Sequence, residues 1–325
     1  MSASSSRRGG KILACYRAPP EHFARLAQIA ATYELVRAET VEQACSEARD
    51  AEVFLGNRCF LQALPFAENL RWMQSNSAGM DVILADPLAR RRSFVLTAAR
   101  GIYDEEMADH ALALVYACLR ELPSAWRDAT AGRWERRPLR HLAGRRALVF
   151  GFGGVGQAIA RRLLAARAEV VVVRRTPRAP ALRERELAAP SVDLAAGRDL
   201  LSTVDIAVLA LPLTPETRGC FDAEALRRLR DGCILVNVAR GALLDESSLE
   251  AHVARLGGVG LDVFETEPLP SEHWLWRHPK VIVTAHVARS PDAGAPAWLG
   301  LVEQNLAAYV AGAPLLHVVD KERGY

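Results

Sequence analysis

The chain has 325 residues, enough for two domains, and half of them are hydrophobic. Charges of both signs are mixed and the net charge is only +3, so the composition excludes a disordered, fibrous or strongly polyionic protein. No basic block with interleaved aromatics suggests nucleic-acid binding, and no apolar stretch is long enough to span a membrane. The six cysteines (Cys15, Cys45, Cys59, Cys118, Cys220, Cys233) have neither C-x-x-C nor zinc spacing, which fits buried thiols in a reducing cytoplasm.

Residues 1–10 are rich in Ser, Arg and Gly, lack an apolar signal core and read as a disordered leader. Strands are then expected at 11–16, 33–36 and 51–56, with helices at 20–31 and 41–49 between them. The first helix places Phe23, Leu26, Ala27 and Ala30 on one face. This βαβαβ order predicts a small parallel sheet with helices on both faces. A fourth strand at 70–74 runs into Ser75-Asn76-Ser77-Ala78-Gly79-Met80-Asp81, a small-residue loop of the kind that binds ligands at strand ends. The alternative is an ordinary strand-to-helix loop with Asp81 as a cap. A strand at 92–97 precedes a long apolar helix at 104–120, which belongs in a core or a subunit interface. His110 on that helix reads first as a hydrogen-bonded core histidine.

Ala147 to Phe150 is an apolar run with the pattern of a buried parallel strand, followed by Gly151, Gly153 and Gly156 at G-x-G-x-x-G spacing. Gly151 permits the tight turn, Gly153 lets a pyrophosphate approach the backbone, and Gly156 lets the helix pack on the strand. The helix amino terminus then offers free N–H groups to phosphates. Glu169 to Val173 is the next strand and completes a βαβ unit. Further on, a helix is expected around 181–188, strands at 205–211, 233–238, 259–263 and 281–284, and helices at 222–230, with Asp222 as N-cap, 245–256 and 296–311.

Arg240, Glu267 and His286 each follow one of these strands, and in an open α/β sheet such ends converge on the cofactor crevice. Each alone has a plainer reading: a surface arginine, a solvated loop carboxylate, a satisfied histidine. Together they fit carbonyl reduction by hydride. The carbonyl needs a proton donor, a substrate carboxylate needs a fixed positive charge, and a donor histidine needs a carboxylate to orient it and favour its charged form.

The stretches 151–156, 211–219, 237–246, 260–270 and 283–286 resemble the D-isomer-specific 2-hydroxyacid dehydrogenase family, as do 77–81 and 319–325. The likeness covers nearly the whole chain. It implies an α/β fold of two doubly wound parallel-sheet domains, with a Rossmann cofactor domain (99–287) inserted in a flavodoxin-like substrate domain (1–98 plus 288–325). It further implies that His286 is the general acid in 2-oxoacid reduction, that Glu267 orients it, and that Arg240 grips the substrate carboxylate. By the same likeness the backbone N–H groups of Ala78 and Gly79 hold that carboxylate. Gly151, Gly153, Gly154, Val155, Gly156, Arg174, Arg175, Thr176, Pro212, Ala239 and Asp262 are expected to bind the cofactor, Asp262 at the nicotinamide carboxamide. The helix at 104–120 would pack against its mate in a homodimer, with Trp134 a candidate to reach a partner's pocket.

The chain departs from the family pattern at Ala285, where a proline is usual, at Val287-Ala288-Arg289-Ser290 and at Ala108-Asp109. Arg289 adds a positive charge near the mouth or points to solvent. The second strand of the βαβ unit ends in Arg174, Arg175, Thr176 and Arg178 rather than a carboxylate. Arginine clamps a 2′-phosphate, so NADPH is expected over NADH. The segment 273–279 resembles the loop of glyoxylate/hydroxypyruvate reductases, and no C-terminal regulatory domain is expected. The expected activity is therefore reduction of a small 2-oxoacid to the D-2-hydroxyacid, without metal. The alternatives are a D-3-phosphoglycerate dehydrogenase, which the arginines oppose, and a dinucleotide-binding corepressor. A formate dehydrogenase is disfavoured by Glu267, where that branch has glutamine.

Overall fold

The computed structural model describes residues 9–176, 189–289 and 295–325. The helix expected at 181–188 and the residue Arg178 lie outside them, as do residues 1–8 of the expected leader. The described residues divide into two compact units. One takes those within Met1–Ile102 and Pro291–Tyr325, the other those within Tyr103–Ser290.

The first unit opens with β1 (Lys11–Ala14), α1 (Pro20–Ile29), β2 (Glu34–Arg37), α2 (Val41–Glu47) and β3 (Ala51–Leu55). It continues through α3 (Phe60–Ala63), β4 (Trp72–Gln74), α4 (Asp81–Leu84), α5 (Pro87–Arg91) and β5 (Val95–Thr97). Local chemistry sets the helix starts. Pro20 occupies the first turn of α1, and Thr40 and Gln43 form a reciprocal capping box on α2. The strands pair in the order β2-β1-β3-β4-β5, all parallel, which is the flavodoxin-like order. The buried side of α1 is His22, Phe23 and Leu26, whereas Ala27 is exposed. Asp81 is the first residue of α4, and the N-cap position is held by Met80.

The second unit holds α6 (Asp104–Leu119), α7 (Leu122–Thr130), β6 (Arg146–Phe150), α8 (Gly154–Ala165), β7 (Glu169–Val173), β8 (Ser191–Val192) and α9 (Leu194–Asp199). Then come β9 (Ile206–Leu209), α10 (Ala223–Arg228), β10 (Ile234–Asn237), α11 (Glu246–His252), β11 (Gly258–Leu261) and β12 (Val281–Val283). Asp222 accepts from the Ala225 N–H and caps α10, as the sequence predicts. The sheet order is β12-β11-β10-β9-β6-β7-β8, all parallel, with the chain reversal between β6 and β9. Alternate residues of each strand feed two cores. Leu148 and Phe150 of β6 enter one, Ala147 and Val149 the other, so the strands read as unbroken apolar runs. Helix α6 lies in the second core through Ala108, Ala111, Leu114, Val115, Cys118 and Leu119. The final helix, α12 (Ala295–Val310), belongs to the first unit.

Candidate active site

The turn from β6 into α8 has the geometry its three glycines imply. Gly151 has φ +106°, and a Cβ there would lie 2.3 Å from the Ala210 carbonyl oxygen. A Cβ on Gly156 would lie 2.0 Å from the Gly151 carbonyl, so helix and strand pack without space for a side chain. Above Gly153 nothing lies within 4 Å of where a Cβ would be, which leaves that face of the turn open to a phosphate. A dinucleotide therefore fits this turn. Val155 is part-buried on the first turn of α8. A residue the sequence reading did not single out also reaches the turn. The Asp104 carboxylate sits against Gly154, and burial pushes its pKa upward.

At the end of β7 the Arg174 guanidinium lies over the Phe152 ring, 5.4 Å from its centroid. Arg175 and Thr176 are exposed. Arg175 also helps hold the Glu216 carboxyl below its usual range, after the Thr214 hydroxyl and the local backbone. Pro212 follows β9, and its carbonyl accepts a 2.7 Å bond from the Thr217 hydroxyl.

Arg240, Glu267 and His286 follow β10, β11 and β12, three adjacent strands. Behind Arg240 the fully buried Asn237 shapes the turn, donating to the Arg240 carbonyl (2.9 Å) and accepting from the Ala239 N–H (3.0 Å). Arg240 Nη1 donates to the Ala239 carbonyl at 2.7 Å. A side chain at Gly241 would collide with the Phe264 backbone at 1.8 Å, so this glycine lets the Arg240 turn pack on the loop that carries Glu267. Glu246 braces that loop too, accepting from the Glu265 N–H at 2.7 Å, and burial raises its pKa.

Glu267 Oε2 lies 2.7 Å from His286 Nδ1, while Oε1 accepts from the Phe264 N–H at 3.0 Å. Both side chains of the pair remain partly exposed. The Glu267–Pro268 bond is cis. His286 has φ +53°, in the left-handed region unusual for a residue with a Cβ. Asp262 is fully buried beneath it. Arg289 is not merely solvated: its guanidinium lies 4.7 Å from the centre of the Tyr103 ring. Ala78 and Gly79 are in the first unit, in the loop between β4 and α4. Among the described residues no cluster of His, Cys, Asp or Glu is arranged to hold a metal.

Residues 112–288 match the model of the D-isomer specific 2-hydroxyacid dehydrogenase NAD-binding domain. A glyoxylate reductase from Pyrococcus furiosus is 32% identical over 288 residues, covering 85% of this chain and 81% of the relative. This chain belongs to that family. It is accordingly an oxidoreductase with a nicotinamide dinucleotide-binding domain. A D-3-phosphoglycerate dehydrogenase from Mycobacterium bovis is 33% identical over 233 residues, but this chain spans only 43% of it. An NADPH-dependent glyoxylate/hydroxypyruvate reductase from Sinorhizobium meliloti, solved with NADP and sulfate, superimposes with a TM-score of 0.82 at 27% identity. That match covers 98% of this chain and all of the other. The two-sheet α/β architecture is thus that of the 2-hydroxyacid dehydrogenases.

Proposed function

We propose that the protein reduces a small 2-oxoacid of the glyoxylate/hydroxypyruvate type to the D-2-hydroxyacid, with NADPH preferred. The observation that carries this reading is the 2.7 Å bond between His286 Nδ1 and Glu267, on a strand end two strands from Arg240. With Nδ1–H given to the carboxylate, His286 presents Nε2–H to the substrate carbonyl oxygen. Loss of that proton leaves a neutral imidazole still held by Glu267. Arg240 supplies the fixed charge for the substrate carboxylate. The dinucleotide, when bound, supplies the hydride for C2. Gly151 to Gly156 would take its pyrophosphate, Arg174, Arg175 and Thr176 its ribose end, and Pro212, Ala239 and Asp262 its nicotinamide end.

The NADPH preference is supported by Arg174, which directly follows β7 where a carboxylate would repel a 2′-phosphate, and by the NADPH-dependent Sinorhizobium relative. Phosphoglycerate dehydrogenase activity is the second reading, favoured by the identity to the Mycobacterium bovis enzyme. A homodimer is part of the proposal. The buried side chains of α6 pack within their own unit, so the surface offered to a partner is the exposed Tyr116, Leu122, Trp126 and Trp134. The six free thiols favour a cytoplasmic setting. Among the described residues no helix is long and apolar enough to cross a membrane.

The test is a panel of 2-oxoacids, including glyoxylate, hydroxypyruvate and 3-phosphohydroxypyruvate, assayed with NADPH and NADH by absorbance. Turnover of the first two, lost in His286→Ala, is expected. Turnover of 3-phosphohydroxypyruvate alone would favour the second reading. Unchanged turnover in His286→Ala would remove that residue from the chemistry.

A further inference from the structure

We propose that His110 is a positioning residue for the proton donor, acting through Thr284 and Asp262; this rests on His286 being that donor. His110, on α6, has Nε2 2.9 Å from Thr284 Oγ1 and 3.5 Å from Asp262 Oδ1. Thr284 Oγ1 is in turn 2.6 Å from Asp262 Oδ1. Donor directions follow from chemistry. The Thr284 hydroxyl donates to Asp262 Oδ1, so its single proton is committed there. Thr284 therefore accepts from His110, and His110 carries its proton on Nε2.

Asp262 collects the whole turn that carries His286. Its Oδ1 accepts from the Val287 N–H and its Oδ2 from the Ala288 N–H, both at 2.9 Å. Its carbonyl accepts from the His286 N–H at 2.8 Å. The Thr284 N–H donates to the neighbouring Leu261 carbonyl at 2.9 Å. A histidine at φ +53° persists only where its surroundings over-determine it, and here these bonds do so. The carboxylate making them is fully buried and depends on each donor. Removing the Thr284 hydroxyl takes one donor from Oδ1, and removing His110 takes the group that orients that hydroxyl. Neither touches His286 Nε2, so both act on the donor's placement.

The test compares Thr284→Val and His110→Leu, which break the chain, with Thr284→Ser and His110→Gln, which keep a hydroxyl and an N–H donor. Each is assayed with NADPH and the 2-oxoacid that the wild type turns over fastest. Thr284→Val is expected to lower kcat on the order of 10²-fold with little change in KM, the size of a misplaced catalytic group. His110→Leu should lower it in the same sense, and the conservative pair should recover most of the loss. A second readout needs no turnover. In isotope-labelled protein the His286 ring resonances, assigned by their absence from His286→Gln, should move in Thr284→Val and His110→Leu and return in the conservative pair. Wild-type kcat and unmoved His286 resonances in His110→Leu would overturn the proposal, even if Thr284→Val failed to fold. A wild type that turned over no 2-oxoacid while the resonances moved as expected would instead sink the reading of His286 as donor.

Discussion

The Arg174 guanidinium lies over the ring of Phe152, 5.4 Å from its centroid, so the end of β7 is tied to the glycine turn. The stack fixes a cation beside the turn rather than leaving it to sweep through solvent. Its charge suits a 2′-phosphate, whereas a carboxylate there suits ribose hydroxyls. Arg174→Asp is expected to move the NADPH-to-NADH ratio of kcat/KM towards NADH by roughly ten- to a hundredfold, the worth of one or two charge-assisted hydrogen bonds. An unchanged ratio would take Arg174 out of cofactor selection.

Glu267 divides its carboxylate between His286 and the Phe264 N–H. Glutamine in its place keeps the shape but replaces the carboxylate facing His286 Nδ1 with a neutral amide. Glu267→Gln should lower kcat on the order of 10²-fold and leave KM much less affected. The comparison to make is with His286→Gln at the same pH. A Glu267→Gln enzyme as fast as wild type would mean that the 2.7 Å bond does not serve the chemistry.

The glycine turn and the three strand ends were legible because each is local. Gly151, Gly153 and Gly156 fix a turn by spacing alone, and Arg240, Glu267 and His286 each fall just after an apolar run. The interactions around them were not legible, because they join residues far apart in sequence. His110 meets Thr284 across 174 positions, so the helix histidine reads as a core residue until the fold is seen. The same cause underlies the misread face of α1. Ala27 fits the apolar stripe but is exposed, and His22 is buried because its ring meets Tyr16 and Glu303, the latter 281 positions away. Several strands also begin or end one or two residues inside their apolar runs. Leu70 and Arg71 precede β4, although the Arg71 N–H still donates to the Glu52 carbonyl and its carbonyl accepts from the Val95 N–H, both at 2.8 Å.

Asp245 caps α11, accepting from the Ser248 N–H at 3.0 Å and from the hydroxyls of Ser247 and Ser248. These donors, the hydroxyls foremost, hold its pKa at about 2. A folded pKa below the unfolded value near 3.8 means stability that is full above 3.8 and lost as pH falls towards 2. Asp245→Ala should cost about 1 kcal/mol at neutral pH. Urea unfolding of the pair should converge as pH falls through that window, and a constant gap would show that the carboxylate charge is not what caps the helix.

His22 is buried between Tyr16 and Glu303, with Nε2 2.7 Å from the Tyr16 hydroxyl and Nδ1 2.8 Å from Glu303 Oε1. Burial lowers its pKa and outweighs the opposing pull of Glu303, with the nearby Arg25 charge also lowering it. The ring is therefore neutral in the fold, donating Nδ1–H to Glu303 and accepting from Tyr16. Below the unfolded value of about 6.5 the unfolded chain binds the extra proton first, so this site loses stability as pH falls from there. The loss continues until the folded ring itself protonates. His22→Gln removes the titration and disturbs two partners, costing about 1–3 kcal/mol at neutral pH. The expected result is a gap in Tm between wild type and variant that narrows as pH is lowered through 6.5, because only the wild type pays the protonation penalty. A gap that widens over the same range would mean that the folded imidazole is charged, with Glu303 rather than burial dominating the site.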